Sequence, residues 1–352
     1  MAKKLLKGNE AVAEAALRGG CDFFAGYPIT PSTEALEYLS WRMPERGRVF
    51  IQAENEIASI NMVTGAAVAG ARALTATSGP GGSLMCEGFS YAARMALPYV
   101  LLNVQRWGTG LGTLDSGQTD YFKEVKGGGH GDYRSIVYTP ASVQELCDVM
   151  YNAWDVAEKY MVGVVILSEA YLGQMMEQVE MPPFKERPDR GWAIDGRGLT
   201  GMGEFAKKTK GADGMKVKGE GYEQIKNDLQ DWEEYGLEDA EYVIVSFGLP
   251  GRISIDAVKK LRAEGIKAGI IRPKLVWPFP EKAFAKLKGV KGLISVESSD
   301  YGQLVEDVAL YAKKCGLNVP VYLYAHGKGV PGVGTVYDFY KSVAAGNEKE
   351  VF

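Results

Sequence analysis

Four short clusters of polar residues and glycines could carry chemistry, and the first is a turn bracketed by prolines. It consists of Tyr27, Pro28, Ile29, Thr30, Pro31 and Ser32. A threonine followed by a proline predicts that a helix begins at Pro31 with Thr30 as its N-cap. Helix N-termini offer free backbone N–H groups that can bind a carboxylate. The turn is therefore either an anion-binding site at Thr30 or an ordinary helix cap.

The second cluster places two carboxylates where a predicted strand at 49–52 leads into an apolar helix at 56–68. The helix dipole favours acidic residues at such a position, which would explain Glu54 and Glu56 as structural residues. Glu56, however, borders the most apolar part of the helix, and a carboxyl group shielded from water there is suited to proton transfer. The pattern is consistent with either interpretation of Glu56.

A glycine-rich turn forms the third cluster. It comprises Thr77, Ser78, Gly79, Pro80, Gly81, Gly82 and Ser83. The turn follows a predicted strand at 73–77 and precedes a predicted helix at 84–95, which is where α/β proteins often bind ligands. It matches neither a Walker loop nor a G-x-G-x-x-G fingerprint. The turn is therefore either part of a ligand pocket or a tight connection between two elements.

The fourth cluster begins with Arg106, which directly follows an apolar strand predicted at 99–105 and precedes the glycine-rich stretch 108–112. The carboxyl end of a parallel strand faces the usual ligand crevice of an α/β sheet. A guanidinium group there suits bidentate binding of a carboxylate. The alternative is a surface arginine at the end of a strand.

Strand-like and helical segments alternate along most of the chain, which predicts an α/β protein with mostly parallel sheets covered by helices. One such unit spans 1–183 and a second, smaller unit spans 238–352. The stretch 184–237 between them is rich in Lys, Glu, Asp and Gly and has no apolar periodicity. We expect it to be a linker or surface excursion.

Composition narrows the class of protein further. The 352 residues are 46% hydrophobic and 24% charged, which is typical of soluble globular proteins. The net charge of -4 and the lack of a basic stripe argue against nucleic acid or a membrane surface as a partner. No apolar run reaches the ~18 residues of a membrane span, and no apolar signal core follows the N-terminus. We expect a soluble, cytoplasmic protein.

The metal-binding residue types are few and scattered. The four cysteines and two histidines are Cys21, Cys86, Cys147, Cys315, His130 and His326. No C-x-x-C pair occurs, which argues against an iron–sulfur cluster or a zinc site held by this chain alone. Isolated cysteines also indicate a reducing compartment. The sequence predicts no metal site in this chain.

Taken together, the clusters resemble the alpha subunit of the 2-oxoacid:ferredoxin oxidoreductases. The motifs that match in the first unit are 27–32, Glu-Ile-Ala-Ser at 56–59, 76–81, Asn-Val-Gln-Arg at 103–106 and Gln-Thr-Asp at 118–120. Those in the second unit are 272–273, 276–280, 296–297 and 302–304. The likeness spans the chain except for 184–237, and the shared order of several motifs makes it specific.

Among these enzymes the chain resembles the branched-chain 2-oxoacid type most, through the stretches 121–132 and 140–145. One departure follows Arg106, where Trp107-Gly108-Thr109 stands in place of the family's usual Gly-Gly-Pro. We therefore expect Trp107 to change the shape of the pocket beside Arg106.

The resemblance implies a fold and a set of roles. The first unit would be the pyrimidine-binding domain of a thiamine-diphosphate enzyme, and the second a domain like the C-terminal domain of transketolase. Glu56 would hydrogen-bond the aminopyrimidine ring and activate the cofactor, while Thr30 and Arg106 would hold the substrate. The other residues implied in the cofactor pocket are Tyr27, Pro28, Ile29, Ser78, Gly79, Pro80 and Gly81.

The chain lacks the family's magnesium–diphosphate signature, Gly-Asp-Gly followed by Asn-Asn. The resemblance therefore implies a beta subunit that holds the diphosphate and Mg2+. It also implies a gamma subunit and a ferredoxin-like subunit, with the 4Fe–4S clusters on the beta and ferredoxin-like subunits. Coenzyme A would be the co-substrate and ferredoxin the electron acceptor. The chain would be active only in such a complex.

The expected reaction converts a 2-oxoacid, most simply 2-oxoisovalerate, with coenzyme A to acyl-CoA, carbon dioxide and reduced ferredoxin. Three alternatives are a subunit acting on 2-oxoglutarate or an aryl 2-oxoacid, a non-redox split thiamine-diphosphate transferase, and a non-catalytic assembly subunit. The presence of Glu56, Thr30 and Arg106 argues against the last alternative. Because an apolar pocket discriminates by only ~1–3 kcal/mol per methylene, overlapping substrate use is expected.

Overall fold

The computed structural model describes residues 3–186 and 221–352 of the chain. The described residues form three sheets, of seven, five and two strands. Both larger sheets are mostly parallel and carry helices, so the predicted α/β class is confirmed. No helix in these two ranges is long and apolar enough to cross a membrane.

The first unit contains eight strands and seven α-helices within 3–186. Its strands are β1 (Lys3–Lys7), β2 (Phe23–Gly26), β3 (Val49–Gln52), β4 (Ala73–Thr77), β5 (Val100–Gln105), β6 (Ile136–Tyr138), β7 (Val164–Glu169) and β8 (Met176–Glu180). Its helices are α1 (Gly8–Arg18), α2 (Thr33–Arg42), α3 (Glu56–Val68), α4 (Gly79–Leu84), α5 (Cys86–Arg94), α6 (Val143–Tyr160) and α7 (Ala170–Gln174). Strands β1 and β8 pair antiparallel as the two-stranded sheet.

The second unit begins with a short helix at 222. Its elements are α8 (Tyr222–Asp228), β9 (Trp232–Tyr235), β10 (Tyr242–Val245), α9 (Gly248–Ala263), β11 (Ala268–Pro273), β12 (Leu275–Trp277), α10 (Glu281–Phe284), β13 (Gly292–Glu297), α11 (Leu304–Lys314), β14 (Val321–Ala325) and α12 (Val333–Ala344). The five-stranded sheet has the order β14-β13-β10-β11-β9, with β9 antiparallel to β11.

The seven-stranded sheet, in the order β12-β6-β7-β5-β4-β2-β3, sets the position of the candidate site. Every residue of its central strands β4, β5 and β7 is buried, as expected for parallel strands covered on both faces. Strands β2, β3, β4, β5 and β7 run parallel, so their carboxyl ends meet at one edge. The four clusters singled out from the sequence all follow strands at this edge.

Two details of the sequence prediction are wrong. Helix α2 begins at Thr33 rather than at Pro31, and Thr30 is not its N-cap. The reason is a local turn, in which the backbone N–H and hydroxyl of Ser32 both donate to the carbonyl of Ile29. The peptide bond between Thr30 and Pro31 is cis. The glycine-rich segment predicted as a turn forms the short helix α4 (Gly79–Leu84), while the predicted helix at 84–95 corresponds to α5.

The predicted linker at 184–237 is structured in its last part, while 187–220 lies outside the described residues. Helix α8 occupies 222–228, and β9 pairs with β11 as the edge of the second sheet. Because β9 exposes most of its side chains, it lacks the apolar alternation that identifies a strand. The second unit also gives β12 to the first sheet, where it pairs antiparallel with β6.

Gln118 joins the two units through a buried set of hydrogen bonds. Its side-chain amide donates to Oε1 of Glu169 at 3.1 Å and to the carbonyl of Phe247 at 3.0 Å. Its side-chain oxygen accepts from the backbone N–H of Ser298 at 3.0 Å. Glu169 accepts a further bond from the N–H of Leu249 at 3.0 Å. These contacts fix the start of α9 and the end of β13 against the edge of the first sheet.

Glu297, one of the residues that carry the family resemblance, has a structural role. Its buried carboxylate accepts hydrogen bonds from the backbone N–H groups of Gln303, Leu304 and Val305, at 2.6 to 3.1 Å. It thus binds the free donors at the start of α11, where the helix dipole favours a negative charge. Glu297 therefore holds α11 at the end of β13.

Glu169 allows a test of the contact between the two units. Burial raises the pKa of Glu169 to about 7, against the hydrogen bonds from Leu249 and Gln118, which lower it. In the unfolded chain the Glu169 carboxyl group loses its proton near its ordinary pKa, whereas in the folded chain it keeps the proton up to about pH 7. The free energy of unfolding therefore decreases as the pH rises between these two pKa values, and it stays low at higher pH. Glu169→Gln keeps an acceptor but has no charge to bury.

We expect Glu169→Gln to stabilise the protein more at pH 8 than at pH 5, with a difference of up to about 3 kcal/mol in the free energy of unfolding. The thermal midpoint should accordingly rise more at pH 8. Thermal unfolding of the purified complex at both pH values measures this difference. The control is Glu180→Gln, because Glu180 is exposed on β8. An equal effect of Glu169→Gln at the two pH values would show that Glu169 does not titrate in this range.

Candidate active site

Glu56 is the first residue of α3 and lies at the edge where the carboxyl ends of the parallel strands meet. Asn55 caps this helix by accepting a hydrogen bond from the N–H of Ala58 at 2.8 Å. The Glu56 side chain is largely buried, with 5% of its surface exposed, but its carboxylate oxygens are not among the fully buried polar atoms that lack a partner in the described residues. Its place at the start of an apolar helix and against the glycine-rich turn makes Glu56 the main candidate for contact with a ligand.

Gly81 forms the wall against which this carboxylate lies. A Cβ atom at Gly81 would stand 2.5 Å from Oε1 of Glu56 and 2.4 Å from Oγ1 of Thr77, too close for any side chain. The hydroxyls of Thr77 and Ser78, in the same turn, are buried without hydrogen-bond partners among the described residues. The turn therefore surrounds Glu56 with unused polar atoms and with space that only glycine leaves.

Arg106 lies at the end of β5 and contacts the proline-bracketed turn. Its guanidinium donates to the carbonyl of Thr30 at 2.7 Å and to that of Leu111 at 2.6 Å, while its Nε is buried without a partner in the described ranges. Burial lowers the pKa of Arg106, and the charge of Asp120 partly offsets this effect. The structure thus brings Arg106 and the backbone of Thr30 together, whereas the Thr30 side chain is exposed.

The remaining predicted residues fall into two groups. Gly79 lies beside Arg106, since a Cβ atom there would be 3.6 Å from Cγ and Nε of that arginine. Pro80 lines the neighbouring cleft. Tyr27, Pro28 and Ile29 form the turn after β2, with the first two exposed and Ile29 half-buried. No side-chain hydrogen bond links these three to the glycine-rich turn in the described part of the chain.

Asp120 and Lys123 belong to the site but were not predicted as site residues. The Lys123 ammonium donates to the carbonyl of Gly79 at 2.9 Å and lies 3.1 Å from Oδ1 of Asp120. Oδ2 of Asp120 accepts from the N–H of Gly79 at 3.2 Å and from the amide of Asn103 at 3.1 Å. The spacing of three between Asp120 and Lys123 was a usable signal, because it allows an ion pair within one helical turn. Lys123 begins a π-helical turn at Lys123–Gly127.

Glu124 is a second buried carboxyl group beside this pair. Burial raises the pKa of Glu124 to about 7, although Lys123 lowers it. The Asn103 amide donates to Glu124 at 2.9 Å, and the Lys123 ammonium lies 3.8 Å from it. Burial lowers the pKa of Lys123, but the carboxylates of Asp120 and Glu124 together raise it above its ordinary value. Lys123 therefore stays charged between two acidic groups.

A cleft of about 310 Å3 opens between the two units next to these residues. The first unit lines it with Gly79, Pro80, Ser83, Gly108, Thr109, Gly110, Thr119, Asp120 and Lys123, and the second with Ser299, Asp300, Tyr301, Gly302 and Gln303. Trp107 crosses between the units, because its indole N–H donates to Asp300 at 3.2 Å. The cleft therefore joins the glycine-rich turn to the loop after Arg106.

Comparisons with known proteins agree with this geometry. A family described as pyruvate flavodoxin/ferredoxin oxidoreductase, thiamine-diphosphate-binding, matches residues 14–191, and the core domain II of pyruvate:ferredoxin oxidoreductase matches 240–333. The ketoisovalerate oxidoreductase subunit VorB of Methanothermobacter marburgensis is 44% identical, over 88% of this chain and 90% of its own length. The 2-oxoglutarate synthase subunit KorA of Archaeoglobus fulgidus is 36% identical, over 88% and 91%.

Among solved structures, the 2-oxoglutarate:ferredoxin oxidoreductase from Magnetococcus marinus has a TM-score of 0.81 and 26% identity. The match covers 97% of this chain but only 65% of that one. A split-gene transketolase, described as an inactive beta4 tetramer, shares the fold alone, at 13% identity and a TM-score of 0.62. This chain belongs to the 2-oxoacid:ferredoxin oxidoreductase family, and its first unit is a thiamine-diphosphate-binding domain.

The residues present fit the aminopyrimidine part of thiamine diphosphate. Glu56 offers a carboxylate on a largely buried side chain, and Gly81 leaves the space that this carboxylate occupies. The unused hydroxyls of Thr77 and Ser78 add further polar contacts. No group of three or more His, Cys, Asp or Glu residues in the described part of the chain could hold a metal ion.

Gly81→Ala tests whether the Glu56 carboxylate, which lies against Gly81, binds the cofactor. The added methyl group would displace the Glu56 carboxylate, and overpacking of this kind costs ~1–3 kcal/mol. We expect the affinity of the assembled complex for thiamine diphosphate to fall about tenfold or more, as measured by titration calorimetry. Gly334→Ala is the matched control, because Gly334 is exposed on α12 with nothing within 4 Å of a new Cβ. Unchanged binding in Gly81→Ala would place the cofactor elsewhere.

Proposed function

We propose that the complex containing this chain converts a branched-chain 2-oxoacid, coenzyme A and oxidised ferredoxin to acyl-CoA, carbon dioxide and reduced ferredoxin. The observation that carries the proposal is the carboxylate of the largely buried Glu56, which lies against the glycine-rich turn in the described part of the chain. Thiamine diphosphate, when bound, supplies the nucleophilic carbon and the electron sink for decarboxylation. The protein supplies binding, orientation and proton transfer.

Glu56 is the catalytic residue of this proposal. It hydrogen-bonds the ring nitrogen of the aminopyrimidine and exchanges a proton with it. Its burial strengthens that bond, since hydrogen bonds of charged groups are stronger where water is excluded. Ser78, Gly79, Pro80 and Gly81 form the wall of the cofactor pocket on one side. Tyr27, Pro28 and Ile29 approach it from the end of β2.

Thr30 and Arg106 hold the substrate in this proposal. Two terminal nitrogens of Arg106 already bind the backbone at Thr30 and Leu111, but each keeps a second N–H, and Nε is unused in the described ranges. These donors suit the carboxylate and the 2-oxo oxygen of the substrate. The exposed Thr30 hydroxyl lies on the same turn and can add a further contact.

The outer face of α3 supports a partner subunit at the same site. Helix α3 carries no charged residue besides Glu56, and its outer residues Ile57 and Met62 are exposed. Leu84 and Tyr91, on the adjoining α4 and α5, are also exposed. A helix that is apolar on its outer face usually packs against another surface. We assign this face to a beta subunit that holds the diphosphate and Mg2+.

The rest of the assembly follows from the family. The complex would include a gamma subunit and a ferredoxin-like subunit, with 4Fe–4S clusters on the beta and ferredoxin-like subunits, and ferredoxin would accept the electrons. Cytoplasmic localisation is supported by four free cysteines. We retain the division into 1–183, 184–237 and 238–352 as a proposal, although β9 and β12 show that sheet pairings extend across it.

We favour an apolar 2-oxoacid over 2-oxoglutarate, because the described cleft beside the site offers no free cation for a second carboxylate. A second carboxylate requires a cation of its own, and the one cationic residue lining the cleft in the described ranges is Lys123. Asp120 and the carbonyl of Gly79 already occupy its ammonium group. The higher identity to a ketoisovalerate oxidoreductase subunit than to a 2-oxoglutarate synthase subunit points the same way.

Glu56→Gln tests the central role in this proposal. The amide keeps the volume of the side chain but cannot accept a proton, and loss of a positioned acid–base group costs ~10²–10⁴-fold in rate. We expect the turnover of the complex, followed as viologen reduction in the presence of the substrate, to decrease by a factor of this size. Glu54→Gln should be close to wild type, because Glu54 is exposed two residues earlier. Wild-type turnover in Glu56→Gln would contradict the role of Glu56.

Initial rates with a panel of 2-oxoacids test which class of substrate the complex prefers. The complex, purified under anaerobic conditions, should prefer 2-oxoisovalerate over 2-oxoglutarate by ~10-fold or more in kcat/KM, since an unpaired second carboxylate is costly to bury. A preference for 2-oxoglutarate or an aryl 2-oxoacid would correct the substrate class. Decarboxylation without reduction of viologen or ferredoxin would instead indicate a non-redox thiamine-diphosphate transferase.

A further inference from the structure

We propose that Lys123 and Asp120 are positioning residues, which hold the turn Ser78–Gly82 in the conformation that receives the cofactor beside Glu56. The inference rests on the proposed function of Glu56 and adds two residues to it. Neither of them is required to touch the cofactor. They act on the cofactor pocket through the backbone of Gly79. Three independent features of the structure support this positioning role.

The first feature is that Gly79 is held at both of its backbone groups. Its N–H donates to Oδ2 of Asp120 at 3.2 Å, and its carbonyl accepts from the Lys123 ammonium at 2.9 Å. Asp120 and Lys123 are themselves joined at 3.1 Å. Gly79 has a φ of +40° and is the first residue of α4. The ion pair thus holds both backbone groups of the residue at which this short helix begins.

The second feature is the space left by Gly82. A Cβ atom at this position would stand 2.7 Å from the Lys123 ammonium nitrogen. Gly81 leaves comparable space for the Glu56 carboxylate. The two adjacent glycines therefore have different purposes: Gly81 admits the catalytic carboxylate, and Gly82 admits the cation that fixes the turn.

The third feature is that the segment carrying the pair is anchored to the second unit. The N–H of Phe122 donates to Oε1 of Gln303 at 2.7 Å, and the Gln303 amide donates to the carbonyl of Thr119 at 2.9 Å. The hydroxyl of the buried Tyr121 donates to Asp307 at 2.7 Å. The segment that carries Asp120 and Lys123 is therefore held by the second unit as well as by Gly79.

The charge balance agrees with a positioning role. The Lys123 side chain is mostly buried, and the groups that face it are the carboxyl groups of Asp120 and Glu124, the carbonyl of Gly79 and the Cys86 thiol. Partly buried ion pairs contribute more than exposed ones, and breaking one leaves an uncompensated charge. Replacement of Lys123 would release the turn and leave two acidic groups without their cation.

The test uses the complex with its partner subunits, stripped of cofactor, and compares Lys123→Met, Gly82→Ala and the double variant. Titration calorimetry gives the Kd for thiamine diphosphate, and steady-state kinetics at saturating cofactor give kcat and KM for the substrate. Each single variant should raise the Kd ~10-fold, equivalent to about 1.4 kcal/mol. The double variant should resemble the singles, because both remove the same contact. The KM for the substrate should not change.

Two controls separate positioning from other effects. Lys259→Met removes an exposed lysine that pairs with Asp256 on α9, and it should leave the Kd unchanged. Asp120→Asn keeps an acceptor for the N–H of Gly79 but loses the ion pair, so its Kd should lie between wild type and Lys123→Met. The thermal midpoint of the cofactor-free complex shows whether each variant is folded. If Lys123→Met is unfolded, Gly82→Ala and Asp120→Asn decide the question.

Any of three results would overturn the positioning role. They are additive effects of Lys123→Met and Gly82→Ala, an unchanged Kd for thiamine diphosphate, and a change confined to the KM of the substrate. The last result would indicate that Lys123 contacts substrate instead. These outcomes are distinct from failure of the proposed function, which Glu56→Gln decides. An inactive Glu56→Gln with normal cofactor binding in Lys123→Met would leave the function standing and remove only the inference about Lys123.

Discussion

The contact between the two α/β units through residues 118–126 is the constraint on which the site depends. Gln118 binds both units, Gln303 binds Thr119 and Phe122, and Tyr121 binds Asp307. All of these bonds are buried or partly buried, where water competes least for the donors and acceptors. Glycine-rich turns have many accessible conformations, so the turn at 78–82 and the loop after Arg106 need an external reference. The segment 118–126 provides it, because it contacts both the second unit and Gly79.

This arrangement explains why the second unit is needed although none of the four clusters belongs to it. Glu297 fixes the start of α11 by accepting from three backbone N–H groups, and α11 follows directly on Gln303. The position of α11 is transmitted through Gln303 and Asp307 to the π-helical turn that contains Lys123. The second unit therefore acts on the site through packing and hydrogen bonds. Its strand β12 in the first sheet makes relative movement of the two units costly.

The sequence was sufficient for the fold class and for the composition of the site, because both depend on local patterns. The buried strand β5 is continuous in apolar content, and it was found within one residue of its bounds. Glu56, Arg106 and the glycine-rich turn follow strands, so their meeting at one edge follows from parallel topology. Strand β9 gave no signal because its side chains are mostly exposed. Lys123 was missed because its role depends on contacts with Gly79 and Asp120. The start of α2 was misplaced because a turn at 29–32 replaces the expected cap.

The unsatisfied polar atoms at this edge are an argument that the chain is one part of a larger site. The unused atoms in the described residues include Nε of Arg106 and the hydroxyls of Thr77 and Ser78. Each such group costs on the order of 1–3 kcal/mol if nothing binds it. A chain that keeps several of them together at one place is less stable alone than it would be with apolar replacements. That cost is recovered when a cofactor and a partner subunit contribute the missing donors and acceptors. Binding of cofactor and partner should therefore be mutually reinforcing, because each satisfies groups that the other leaves buried.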